Sequence, residues 1–217
     1  MKTFLTTTLL LILSLTSNAQ SLLDIATIED IVKNDRAYFN DIVELYRNDD
    51  PYLDVNDVAM VYYGQVFLPE FKAGSDENER LLKEYSAEGN YAAAYNTALK
   101  IMEYNPVSLN ALFNLLISSK QLNKSEEEYK SYATKYMAIL NMITTYGNGR
   151  SGESAFKLIT PDDQDYILYG KLGIKKVLSH ELDTESLCNI VIVEPTPQVQ
   201  TRRIYFDLKL YLSSTAK

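Results

Sequence analysis

Few residues in this chain combine the type and spacing that chemistry needs. His180 is its one ordinary near-neutral base. A nucleophilic triad would set it beside a serine or beside Cys188, yet no Gly-x-Ser-x-Gly elbow occurs. One Cys and one His cannot assemble a multi-ligand zinc site. Gly147-Asn148-Gly149-Arg150-Ser151-Gly152 looks superficially like a phosphate loop. The Walker pattern needs Lys and then Ser or Thr leading from a strand into a helix, whereas this segment follows a helical pattern and reads as a turn. Asp76-Glu77-Asn78-Glu79 and Asp162-Asp163-Gln164-Asp165 offer hard oxygen ligands. Neither fits an EF-hand loop, and helix capping and solvated turns account for both. Among 29 acidic residues no glycosidase-like pair stands out. The sequence therefore predicts no catalytic residue, no metal and no cofactor.

Binding is a different matter, because the chain has 17 Tyr. Tyr62 and Tyr63 are adjacent, hence about 100 degrees apart on a helix, and do not share one core face. This predicts a groove lined by one of them beside Pro69 and Phe71, facing the hairpin turned at Gly89-Asn90. Arg150 would add a planar donor fork for a ligand carboxylate. Tyr62, Tyr63, Phe71 and Arg150 are thus the candidate ligand-binding residues. The competing reading has both rings sealing the junction between helices and strands. Tyr129, Tyr132 and Tyr136 lie at helical spacing and read as core.

Two regions of different period must position these residues. Over 21–146 the apolar spacing is helical. One stripe follows Asp35 and ends at Asn48-Asp49-Asp50-Pro51. A helix over 55–68 starts at Asp54 or Asp57 and stops before Pro69. Residues 72–75 read as a loop, and Asp76 with Glu79 as a capping box for a helix reaching Glu88. Residues 88–106 resemble a tetratricopeptide repeat from its mid-repeat turn to its closing Pro. Gly89-Asn90 tolerates the left-handed turn, Ala94 and Ala98 allow close helix approach, and Pro106 ends the second helix. A helix from Leu109 and a partner over 125–146 complete the set. Beyond the Gly-rich break, short strands are predicted over 155–160, 166–172, 174–180, 187–194 and 203–208. The fold class is α+β: a helical-hairpin, tetratricopeptide-like domain over 20–146, then a small β-rich domain over 147–217.

The first nineteen residues read as an address. Met1-Lys2 is a short positive start, an apolar run from Phe4 to Leu15 follows, and Ser17-Asn18-Ala19 supplies the small residues a signal peptidase reads. The run is too short to span a bilayer, which needs about 20 residues, and no second long run follows. Residues 1–19 are thus expected to be a signal peptide, with Gln20 as the mature N-terminus. No Cys stands near that point for lipid attachment, so the expected location is periplasmic or extracellular. A formal charge of -8 offers no footprint for nucleic acid. Cys188, alone in an exported chain, forms no internal disulfide and reads as a small buried hydrophobe on a strand.

Several separated stretches also resemble the family called domain of unknown function 4919. They are Val61-Tyr62-Tyr63-Gly64-Gln65-Val66-Phe67-Leu68-Pro69-Glu70-Phe71, the run from Gly147 to Phe156, Asp165-Tyr166-Ile167-Leu168, and Ile204-Tyr205-Phe206-Asp207. The resemblance implies an exported protein of Gram-negative bacteria with a helical front part, and implies no activity. The functional expectation is a non-enzymatic binding or scaffold module of the cell envelope. Its partner would be a protein, a peptide or a glycan. The alternative is an envelope hydrolase acting on glycans through carboxylates that the fold brings together.

Overall fold

Short polar side chains set where most helices begin. Asp24, Asp35, Asp54, Asp76, Asn90, Ser108 and Ser125 each accept a backbone N–H in the first turn that follows. They satisfy donors that a helix start leaves open. A computed structural model of the chain describes residues 22, 24–71 and 76–215. The expected signal peptide over 1–19 and the loop expected over 72–75 lie outside the described residues. The helices are α1 (Ile25–Asn34), α2 (Arg36–Arg47), α3 (Val55–Gly64), α4 (Glu77–Ala87), α5 (Tyr91–Tyr104), α6 (Leu109–Gln121) and α7 (Glu126–Tyr146). A 3-10 turn, Gln65–Phe67, prolongs α3. At its start Asp54 and Asp57 bond reciprocally to each other's backbone.

Asp76 caps α4 alone. The expected reciprocal partner, Glu79, turns instead toward α6, accepting from Ser108 Oγ at 2.8 Å and Asn110 Nδ2 at 2.6 Å. Between α4 and α5 the chain reverses at Gly89, whose φ of 67 degrees is cheap only for glycine.

Four strands form one sheet: β1 (Phe156–Lys157), β2 (Val177–Asp183), β3 (Cys188–Val193) and β4 (Arg203–Asp207), in the order β1-β4-β3-β2. β1 and β4 run parallel with Phe156 opposite Phe206, and the other pairs are antiparallel. The α+β class is confirmed, with two local corrections. Residues 166–172 are not a strand: α8 (Asp163–Asp165) runs into π-helical turns, Tyr166–Lys171. There Ile167 and Leu168 are both buried, whereas neighbours on a strand face opposite sides. The strand expected over 155–160 shortens to two residues, because β4 offers only Phe206 and Asp207 as partners. A last helix, α9 (Lys209–Thr215), follows β4.

Residues 58–64 of α3 are all buried, as expected of a helix enclosed on every side rather than laid on a surface. It packs against α1, α2 and α7. One apolar cluster joins Val61 and Tyr63 to Ile139 and Ile143 of α7 and to Phe156, Val191 and Phe206 of the sheet. A smaller cluster around Leu82, Ala98, Ile101 and Leu115 holds α4, α5 and α6. Among the described residues no helix is long and apolar enough to cross a membrane.

Candidate functional site

The exit of α2 helps build a groove on the helical part. Arg47 donates to the carbonyls of Met102 and Glu103 at 3.0 and 2.8 Å, anchoring the end of α2 to the end of α5. Asp49 then takes a left-handed conformation, φ 56 degrees, which swings the chain off the helix axis. Its carboxylate pairs with the Lys135 ammonium and accepts from Ser131 Oγ, both on α7. Lys135 also donates to Ser131 Oγ at 2.9 Å. A buried lysine thereby ties the loop to the long helix, since a charge out of water needs a paired partner.

Beside this tie lies a groove of about 790 Å³. Tyr46, Asn48, Pro51, Leu53 and Val58 wall one side, and Glu127, Lys130, Thr134 and Ala138 the other. Tyr46 is 3% exposed, and its hydroxyl meets no hydrogen-bond partner among the described residues. Burial first, and then the nearby Asp49 charge, push this phenol above its ordinary value, so it stays a neutral donor. Tyr52, between Pro51 and Leu53 in the same loop, is 91% exposed.

A second cluster is buried beneath α3. Tyr62 OH donates to Asp163 Oδ2 at 2.6 Å and accepts from the Ile159 N–H at 3.4 Å. Asp163 is 3% exposed. Burial pushes its carboxyl up to about 8, with Glu79 and Asp162 adding like charge and the Tyr62 bond opposing. Asp76, Glu79, Asp162 and Asp163, from the two acidic runs, line one cavity of about 40 Å³ with Phe71, Asn105 and Ile159. That volume suits about one water molecule, far short of the roughly 300–1,000 Å³ of a small-molecule site. No group of three or more His, Cys, Asp or Glu placed to hold a metal occurs among the described residues.

The sequence-derived site residues fall in different places. Tyr62 and Tyr63 are both fully buried, so neither lines a groove. Enclosure of α3 is the reason: two neighbouring residues can both be core when the helix has no outer face. Their rings meet edge-on, with centroids 5.1 Å apart, and Tyr63 OH reaches Lys157 O at 3.4 Å. Sealing of the helix–strand junction is the role both rings show. Phe71 borders the small acidic cavity. Arg150 is exposed in a separate depression with Asn148, Leu172, Pro197 and Ile204, and joins none of the others. His180 is exposed on β2, and Cys188 is buried and unpaired.

Sequence reasoning missed Tyr46, Asp49, Ser131 and Lys135. One signal was present: Ser131 and Lys135 stand four apart on one helix face. A family model described as Domain of unknown function (DUF4919) matches residues 26–217. No curated protein and no solved structure matches the chain. The α4–α5 helix pair is present, while its tetratricopeptide likeness gains no support from the match.

Proposed function

This chain belongs to the DUF4919 family, and we propose that it is a binding module of the cell envelope whose ligand enters the groove between α2 and α7. The Tyr46 hydroxyl carries this reading: it is a buried donor without an acceptor, in a side chain that lines the groove. Such a group costs about 1–3 kcal/mol, and a ligand oxygen that reaches it as the groove wall shifts would recover part of that. The groove also has the volume of a small-ligand site. Asp49, Asp50, Glu126 and Glu127 outnumber Lys130 and Lys135 along it, which disfavours an anion. Tyr52 adds an exposed ring beside the groove. These features fit an uncharged, oxygen-rich ligand such as a short glycan. The envelope location rests on the Met1-Lys2 start, the apolar run and Ser17-Asn18-Ala19.

The hydrolase reading has one observation in its favour, the protonated Asp163 near Glu79. Its cavity of about 40 Å³ admits no sugar ring, so binding is preferred. Thermal-shift and NMR titrations with neutral glycan fragments, acidic peptides and basic peptides test the proposal. The neutral glycans should shift the wild type and not Tyr46→Phe. A response that survives Tyr46→Phe, or silence from every probe, would sink the groove assignment. Glycan turnover abolished by Asp163→Asn would move the function to the hydrolase reading.

A further inference from the structure

Arg150 borders a depression of about 750 Å³ beside the sheet, which shares no lining residue with the groove between α2 and α7. The loop that carries it is held by its own backbone. The N–H groups of Asn148 and Gly149 donate to Ser154 O at 2.9 and 2.8 Å, and the Arg150 N–H donates to Asn148 Oδ1 at 3.0 Å. From β4, the Tyr205 N–H donates to Gly149 O at 2.9 Å. Gly149 has a φ of 67 degrees and lies so close to the Phe156 ring that an added methyl would come within 2.4 Å of it. Across the depression, Thr196 and Val199 exchange backbone bonds at 2.8 and 3.2 Å. Thr201 Oγ1 accepts from the Arg203 N–H at 3.2 Å and donates to Arg203 O at 3.0 Å. Both walls are thus ordered in advance, which lowers the entropic cost of binding.

The lining of this depression differs in charge from the rest of the chain. Among the described residues no Asp or Glu lines it, although the chain holds 29 acids against 21 Lys and Arg. Arg150 is the one cation on its wall, and the guanidinium enters no ion pair or hydrogen bond among the described residues. A free planar fork of this kind is matched by a carboxylate, two N–H groups to two oxygens. One cation in a chain of formal charge -8 suits a single negative charge and disfavours a polyanion. Phe156 and Ile204, both buried, supply an apolar base. The amides of Asn148, Gln198 and Gln200, all exposed, offer the donors and acceptors that peptide bonds need. The volume is that of a small-ligand site.

We propose that this depression is a second binding site, which takes the free C-terminal end of a short apolar peptide, its carboxylate on Arg150 and its last side chain over Phe156 and Ile204. Capture of a C-terminal carboxylate is a recurring mode of peptide recognition. The site stands whatever the groove between α2 and α7 binds.

Isothermal titration calorimetry and amide-resolved NMR titration of the purified chain test this. The probes are an N-acetylated trileucine with a free C-terminus, the same peptide as its C-terminal amide, octanoate and inorganic phosphate. The free-acid peptide should bind with a dissociation constant below about 1 mM and shift the amides at 149–151 and 199–201. The C-terminal amide should bind about tenfold more weakly or worse, and so should the free acid on Arg150→Gln. Arg150→Lys should recover only part of the loss, because it returns the charge without the fork. Arg150→Gln should melt at the wild-type temperature, since its guanidinium has no partner to lose, and Tyr46→Phe should bind the peptide as the wild type does. A wild type that ignores the free-acid peptide overturns the proposal. So does equal binding of the C-terminal amide, binding that survives Arg150→Gln, or octanoate or phosphate binding as tightly as the peptide.

Discussion

Tyr62 and Asp163, 101 residues apart, share a 2.6 Å hydrogen bond in the interior, from the phenol of α3 to a carboxyl in the turn after β1. It is the polar link between the enclosed helix and the segment leading to the sheet, and it lies beneath a water-sized cavity. A carboxyl there is costly to ionise.

Asp163→Asn should flatten the dependence of stability on pH. Burial pushes Asp163 up to about 8 in the folded chain, against about 3.9 unfolded. Between those values the folded chain holds a proton that the unfolded chain has released, so stability falls as pH rises from about 4 to about 8. Each unit is worth about 1.4 kcal/mol. Urea unfolding should therefore show the variant gaining on the wild type from pH 5 to pH 8, while Asn still accepts from Tyr62. A wild-type stability that rises over this range would contradict the assignment.

Tyr62→Phe and Tyr63→Phe separate two buried hydroxyls of unequal worth. The first leaves Asp163 and the Ile159 N–H without their partner, at about 1–3 kcal/mol. The second loses a 3.4 Å contact to Lys157 O and should cost under about 1 kcal/mol. Either tyrosine replaced by Ala should cost about 3–5 kcal/mol. Chemical denaturation at neutral pH gives the order, and equal losses for the two Phe variants would count against it.

Tyr46→Phe should leave the fold as stable as before, or about 1 kcal/mol more stable, because it deletes a buried hydroxyl that has no partner. Binding in the groove should disappear with it. A loss of stability comparable with that of Tyr62→Phe would mean that the hydroxyl is satisfied in solution.

Gly64→Ala tests the closeness of α2 and α3. A methyl there would come within 2.5 Å of the Phe39 ring and 3.2 Å of Val32 Cγ2. Overpacking costs about 1–3 kcal/mol and outweighs the ~1 kcal/mol that alanine gains over glycine in a helix. The melting temperature should fall.

The parts of the fold that depend on neighbours in sequence were legible. Asp35, Asp54, Asn90, Ser108 and Ser125 announce helix starts because each bonds to backbone two or three residues away. The stretch Tyr166-Ile167-Leu168-Tyr169 was misread because a short apolar run has no period that separates strand from helix. The burial of Tyr62 and Tyr63 was missed for another reason. Whether a helix keeps an outer face depends on how many elements surround it, and α3 is covered by α1, α2 and α7 together. The groove escaped notice because Asp49 and Lys135, 86 residues apart, meet only after α2 and α7 have packed.

The order of the strands in the sheet also bears on the birth of the protein. β4 lies between β1 and β3 although it is made last of the four. At synthesis rates of about 5–20 residues per second, Phe156 emerges several seconds before the strand that will cover it. β2 and β3 can close as a hairpin in that interval, but β1 has nothing to join. Until Ile204 and Phe206 arrive, the buried faces of Phe156 and Val191 stand open to water or to a chaperone. A chain stalled before Arg203 would hold α1 to α8 beside an unfinished sheet, and its exposed strands would be the part most open to capture.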